Sequence, residues 1–149
     1  MATIDSAALG RSVLGVLMGV VIGGILISMT EMLGHRLVPL PADLGPITPE
    51  RCSEVMQHLR PIHLLPVGLA WFIGATAGGA LAGAVAQRRP FLHCAIVAAF
   101  FLLGALFTLK QCQHPMWFNI VGPLLFAPAT WLATRMARGA AERTQAAPR

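Results

Sequence analysis

Ionisable side chains that could support chemistry collect beside the apolar stretches of this sequence. Glu31 and His35 are four residues apart, so a helix would place both on one face. His63 begins the second of four apolar stretches, His114 precedes the fourth, and Asn119 follows five residues later. Imidazole nitrogens and a carboxylate can bind a divalent metal. A histidine beside a carboxylate can also relay protons, because its pKa lies near neutrality.

Two interpretations of this polar cluster stay open. In the first, Glu31, His35 and His114 form a site for a divalent metal, proton-linked transport or membrane-embedded catalysis. In the second, the groups only bond to one another and tie helix ends together. Twenty residues of helix after Arg11 place Glu31 about 30 Å along, at the edge of a bilayer, where a polar group costs little. Haem fits badly, because His93 lies near the inner end of the third stretch whereas the other histidines lie near the outer surface.

The composition identifies the surroundings of the chain as lipid. Of the 149 residues 56% are hydrophobic and 11% are charged, whereas soluble domains carry roughly a quarter charged residues. The net charge of +5 comes without a Lys/Arg run or a basic patch interleaved with aromatic residues. The bilayer is therefore the expected partner, and nucleic acid is not.

Four stretches are long enough to cross a bilayer as helices, which takes about 20 residues each. They cover residues 12–34, 62–86, 91–109 and 116–134. Period-2 alternation is absent, and helices pair their backbone groups internally in lipid. The sequence predicts an all-α membrane protein, a four-transmembrane-helix bundle in one domain over residues 1–139. Residues 140–149 are expected to form a disordered cytoplasmic tail.

The basic residues of the flanks predict the orientation of the bundle. With the N-terminus inside, seven Lys and Arg residues lie on the inner side and four on the outer side. The inner ones are Arg11, Arg88, Arg89, Arg135, Arg138, Arg143 and Arg149, and the outer ones are Arg36, Arg51, Arg60 and Lys110. Both termini are therefore expected in the cytoplasm.

The long first loop, residues 35–61, predicts a short helix on the outer surface. Thr48 suits the N-cap, Pro49 the first helical position and Glu50 the first turn of a helix over 49–59. Three apolar side chains are expected to face the membrane or the bundle, namely Val55, Met56 and Leu59.

Two of the three cysteines are predicted on the same outer side. Cys52 lies in the first loop and Cys112 in the third, whereas Cys94 lies inside the third span as a small buried side chain. An oxidising compartment would allow a Cys52–Cys112 disulfide. Whether the geometry permits the bond is left open.

Glycines at four-residue spacing mark the faces on which the first two spans can pack closely. They are Gly15, Gly19 and Gly23, then the pairs Gly74/Gly78 and Gly79/Gly83. Either the two spans pack on each other, or Gly15, Gly19, Gly23, Gly74 and Gly78 contact a second copy or a larger membrane complex.

Two prolines and one tryptophan lie well inside the apolar stretches. Pro123 and Pro128 are expected to kink the fourth span. Trp71 lies eight residues beyond His63, too deep for the aromatic belt of a membrane surface.

The sequence resembles a group of small four-span bacterial inner-membrane proteins without an assigned activity. The resemblance rests on Glu31-Met32-Leu33-Gly34-His35, on Pro39-Leu40-Pro41 and on His114-Pro115-Met116-Trp117-Phe118. It implies a four-helix fold in a bacterial inner membrane and no catalytic residue. The function predicted first is that of a structural or accessory component acting through helix–helix contacts, and the polar cluster is the alternative.

Overall fold

The computed structural model describes residues 6–41, 44–45 and 47–146, and in that part of the chain all regular structure is helical. The helices are α1 (Ser6–Leu37), α2 (Cys52–His58), α3 (Pro61–Ala86), α4 (Pro90–Gln111), α5 (Met116–Leu124) and α6 (Phe126–Ala146). Four segments are long and apolar enough to cross a membrane: α1, α3, α4 and the continuous run Met116–Arg143. The predicted fold, a four-helix bundle with a short helix between its first two spans, is confirmed.

The fourth span is interrupted between its two prolines. Pro128 has no N–H, so it leaves the carbonyl of Leu124 without its helical partner. At the interruption the Leu125 N–H donates to the carbonyls of both Val121 and Gly122, at 3.2 Å each. The break therefore lies where the prolines predicted a disturbance.

The C-terminal segment differs from the prediction of a disordered tail. Helix α6 continues through Ala146, so residues 140–146 are helical. The physical reason is composition, since the segment begins Ala140-Ala141-Glu142 and alanine is the best helix former. Residues 147–149 lie outside the described residues.

Helix α2 is shorter than the predicted 49–59. It begins at Cys52, and its N-cap Arg51 makes no side-chain capping bond. Thr48, predicted as the N-cap, instead bonds through its side chain to Glu50, which holds the pKa of that carboxyl below its usual range. The inward face is as predicted, because Val55 and Leu59 are buried and Met56 packs on the core.

The glycine faces of α1 and α3 lie against each other. A Cβ added to Gly19 would lie 2.5 Å from the carbonyl oxygen of Gly78, and one on Gly23 would lie 2.7 Å from that of Gly74. On another face of α3, a Cβ on Gly83 would lie 2.9 Å from Ala137 of α6. Of the two alternatives for these glycine faces, the structure shows packing of α1 and α3 on each other within the chain.

The outward face of α1 remains apolar and open. Leu17, Val21 and Ile25 are 59%, 60% and 48% exposed, although they lie in the middle of the helix. Buried positions along α1 are all glycines, Gly15, Gly19, Gly23 and Gly34. Such a surface is stable only when hydrocarbon surrounds it, so the chain has the architecture of a multi-pass membrane protein.

Candidate functional site

The polar residues singled out in the sequence lie at one end of the bundle. This loop-1 end is where α1 and α4 end and where α3 and α5 begin, and the loop that carries α2 connects α1 to α3 there. Glu31 is half-buried there, and its carboxylate accepts a hydrogen bond from the Trp71 indole and interacts with the charge of His35. His35 itself is exposed. Glu31 therefore turns towards the interior, and His35 remains at the surface.

Trp71 joins Glu31 to an aromatic cluster inside the bundle. Its ring centroid lies 5.5 Å from that of Phe118 and 6.2 Å from that of Phe126. Gly122 makes room for the indole, since a Cβ there would lie 3.0 Å from Trp71 Cζ3. Trp71 is therefore a core residue of the loop-1 half, as its predicted depth requires.

His114 is buried and helps to shape the start of α5. Its Nδ1 lies 2.6 Å from the carbonyl oxygen of Cys112, and its ring stacks on Phe118 with centroids 5.4 Å apart. A carbonyl only accepts, so Nδ1 carries the proton of the neutral ring and Nε2 the lone pair. Asn119, from the next helical turn, donates to the His114 carbonyl at 3.0 Å. These bonds make His114 and Asn119 a structural pair.

The environment of His114 predicts a loss of stability in acid. Burial lowers the pKa of this histidine below its usual 6.5, and the bond to the Cys112 carbonyl opposes that shift only in part. The neutral ring therefore contributes stability above about pH 6.5, and this is lost as pH falls through the folded-state pKa. We expect the melting temperature to fall less between pH 7 and 5 in His114→Asn, which keeps a donor near Nδ1, than in the unmodified protein. Parallel curves for the two proteins would contradict this assignment.

The structure does not bring the proposed metal ligands together. Among the described residues, no three His, Cys, Asp or Glu side chains stand close enough to hold a metal ion. The set of Glu31, His35 and His114 is therefore not assembled, because His35 faces outward and His114 Nδ1 is bound to a carbonyl. His63 is half-buried, and its Nδ1 has no hydrogen-bond partner in the described part of the chain.

A covalent link and a hydrogen bond join α2 to the loop-1 end. Cys52 and Cys112 form a disulfide with their Cα atoms 5.5 Å apart, so the pairing that the sequence left open is present. One residue further along each segment, the Gln113 N–H donates to Ser53 Oγ at 3.0 Å. Leu40 and Leu44 of the same loop pack on the core. Loop 1 is thus fastened to the connection between α4 and α5.

An apolar groove of about 700 Å³ opens beside this covered end. Helices α1 and α5 form its walls and α3 its floor, and only Thr30 and the Trp117 indole bring polar atoms from side chains. The lining consists of Thr30, Leu33, Gly34, Leu37, Val38, Ile62, Leu64, Leu65, Pro66, Gly68, Leu69, Phe72, Trp117, Phe118, Val121 and Leu125. Leu65 and Leu69 on the floor are more than half exposed, so none of the described helices covers them.

The amino-acid sequence does not predict the groove, and the reason is physical. Ile62, Leu65 and Leu69 follow helical spacing, and the same pattern serves a helix face covered by protein or by lipid. Gly34 is the one residue in the sequence that points to the groove, because in the structure its Cα lies against the ring of Pro66. That close approach fixes the end of α1 against α3 and sets one wall of the groove.

Comparisons of this chain with protein-family models, with curated proteins and with solved structures find no match.

Proposed function

We propose that this chain is an accessory protein of the bacterial inner membrane that binds the acyl chain of a membrane lipid in the groove between α1, α3 and α5. The observation that carries the proposal is the groove itself, an apolar cleft of about 700 Å³ in a membrane-spanning bundle. Binding sites for small molecules have volumes of roughly 300–1,000 Å³ and mostly apolar walls.

Van der Waals contact, and not the hydrophobic effect, is the expected source of the binding free energy. Lipid tails are as apolar as leucine, so transfer from the bilayer into the groove brings no hydrophobic gain. A chain lying over Leu65 and Leu69, however, would contact the α1 wall and the α5 wall at the same time. Many weak dispersion contacts then add up, as they do in a protein core.

Two features support the predicted orientation in that membrane. The excess of basic residues favours cytoplasmic termini. The Cys52–Cys112 disulfide lies at the loop-1 end, and disulfides persist in oxidising compartments such as the bacterial periplasm. With this orientation the groove opens to the outer leaflet of the inner membrane.

The accessory role predicted from helix–helix contacts has to use a different surface. Gly19 and Gly78, for example, already contact each other within the chain. A helix of another protein could compete with lipid at the groove or on the outward apolar faces of α1 and α4, where Leu17 and Leu103, for example, are 59% and 68% exposed. A partner released by a substitution in the groove would favour that role over lipid binding.

The alternative function, a metal, proton or catalytic site at Glu31, His35 and His114, has one observation in its favour. His63 Nδ1 is buried and has no hydrogen-bond partner among the described residues, at the end of the bundle where Glu31 is half-buried. Elemental analysis of the purified protein beside His114→Ala tests the metal branch. A stoichiometric metal lost in the variant would favour it, and metal-free samples of both would count against it.

Filling the groove tests the lipid proposal. Leu69→Trp places a large ring on the floor, so phospholipid retained through detergent washing should fall severalfold. Leu17→Trp is the matched control, because Leu17 and Leu69 are 59% and 54% exposed and Leu17 lies outside the groove. Equal phospholipid in both variants, counted as phosphorus per protein, would overturn the proposal.

A further inference from the structure

Two arginines flank the open end of the groove. On the α1 side the lining continues through Leu37, the last residue of the helix, to Val38, and Arg36 is exposed in the last turn of α1. On the α3 floor the lining begins at Ile62, and Arg60 is the N-cap two residues before it. Both arginines are exposed, and neither forms an ion pair with a carboxylate of the described residues. Two arginines therefore lie next to the lining residues at the loop-1 end of the groove.

We infer that the groove selects an anionic phospholipid, whose phosphate binds Arg36 and Arg60 while its acyl chain lies over Leu65 and Leu69. The inference rests on the proposed function and adds the class of lipid. A guanidinium presents paired N–H donors that match phosphate oxygens. Arginine side chains at helix ends also extend along apolar surface and keep their charge at the headgroup level.

The charge balance at the mouth favours an anionic headgroup over a zwitterionic one. A phosphatidylethanolamine would bring an ammonium group beside two arginines, with His35 exposed next to Arg36. The groove lining contains no carboxylate to receive that ammonium. The described acidic residues of this end are Glu31, which bonds to Trp71, Glu50, which bonds to Thr48, and Glu54 of α2, and none of the three lines the groove. A phosphatidylglycerol brings a phosphate and no added cation.

The full chain reconstituted in bilayers gives the test. Vesicles contain equal amounts of phosphatidylglycerol and phosphatidylethanolamine with identical acyl chains, and mild detergent then extracts the protein. Mass spectrometry measures the ratio of the two lipids that remain bound. We expect several-fold enrichment of phosphatidylglycerol on the unmodified protein. In the double variant Arg36→Gln/Arg60→Gln the ratio should fall to that of the vesicles, while the total bound lipid changes little.

Two further variants separate charge from position. Arg36→Lys/Arg60→Lys keeps both charges, so it should restore part of the enrichment. Arg88→Gln/Arg89→Gln removes two arginines from the α3–α4 connection at the opposite end, so it should leave the enrichment intact. Unchanged enrichment in Arg36→Gln/Arg60→Gln, or an equal loss in Arg88→Gln/Arg89→Gln, would overturn the headgroup inference.

The same experiment distinguishes this inference from the function on which it rests. If Leu69→Trp releases lipid but no variant changes the lipid ratio, the groove binds acyl chains without headgroup selection. If Leu69→Trp releases no lipid, the proposed function fails, and the inference fails with it.

Discussion

Gly19→Leu is expected to destabilise the protein by about 3 kcal/mol or more, since overpacking a tight interface costs about 1–3 kcal/mol and occasionally more. A Cβ at this position would lie 2.5 Å from the Gly78 carbonyl oxygen and 3.0 Å from the Ala82 Cβ. The first of these is backbone, which cannot move without shifting α3. The spans would have to separate, and their van der Waals contact is what holds helices together in lipid. Thermal unfolding in mild detergent measures the effect.

Gly24→Leu is the control for this substitution. Gly24 lies on the same helix, and a Cβ there would meet nothing within 4 Å. We expect a change within about 1 kcal/mol, and of either sign, because leucine forms helix better than glycine. Similar losses in the two variants would mean that α1 does not pack on α3 through Gly19.

Breaking the Cys52–Cys112 disulfide should have the second largest effect. The bond joins residues 60 apart, and the chain-entropy estimate for such a loop is about 4 kcal/mol. The measured loss should be smaller than this, because membrane spans restrict the unfolded chain as well. We expect Cys52→Ser/Cys112→Ser to lower the melting temperature and to make loop 1 more sensitive to protease.

Reductant provides the control for the disulfide. It should lower the melting temperature of the unmodified protein towards that of the double variant and leave the variant itself unchanged. The remaining thiol, Cys94, is fully buried and donates to the Gly79 carbonyl, so it does not compete for pairing. A melting temperature that reductant leaves unaltered in the unmodified protein would contradict a stabilising role for the bond.

The architecture followed from sequence because a bilayer imposes simple rules. Span length, paired backbone groups and glycine spacing predicted four helices, and the faces of α1 and α3 meet at Gly19 and Gly78 as one of the two interpretations required. The depth of Trp71 likewise excluded a place in the aromatic belt of the membrane surface, and in the structure Trp71 contacts Phe118 and Phe126 in the core. These are properties of a single helix or of one pair of helices.

The side-chain contacts at the loop-1 end could not be predicted from the sequence, because they depend on how separate helices and turns meet in the folded chain. Spacing along the chain placed Glu31 and His35 on one helix face, yet only Glu31 turns inward to Trp71. Whether His114 faces a ligand or a backbone carbonyl depends on the turn at Cys112, which no periodicity encodes. The groove depends on how far α1 and α5 diverge over α3, and apolar spacing is the same in either case. The helical residues 140–146 were missed because polarity was weighed above helix propensity.

A photoreactive phospholipid tests the central claim most directly. A phospholipid with a diazirine in its acyl chain is incorporated into bilayers with the full-length protein, and the labelled peptides are sequenced after irradiation. Binding in the groove predicts label concentrated on Leu65, Leu69 and Val121, which line it from α3 and α5. Label of equal strength on Leu17 and Val21, which face outward from α1 beyond the groove, would show ordinary solvation by the bilayer and contradict a lipid-binding groove.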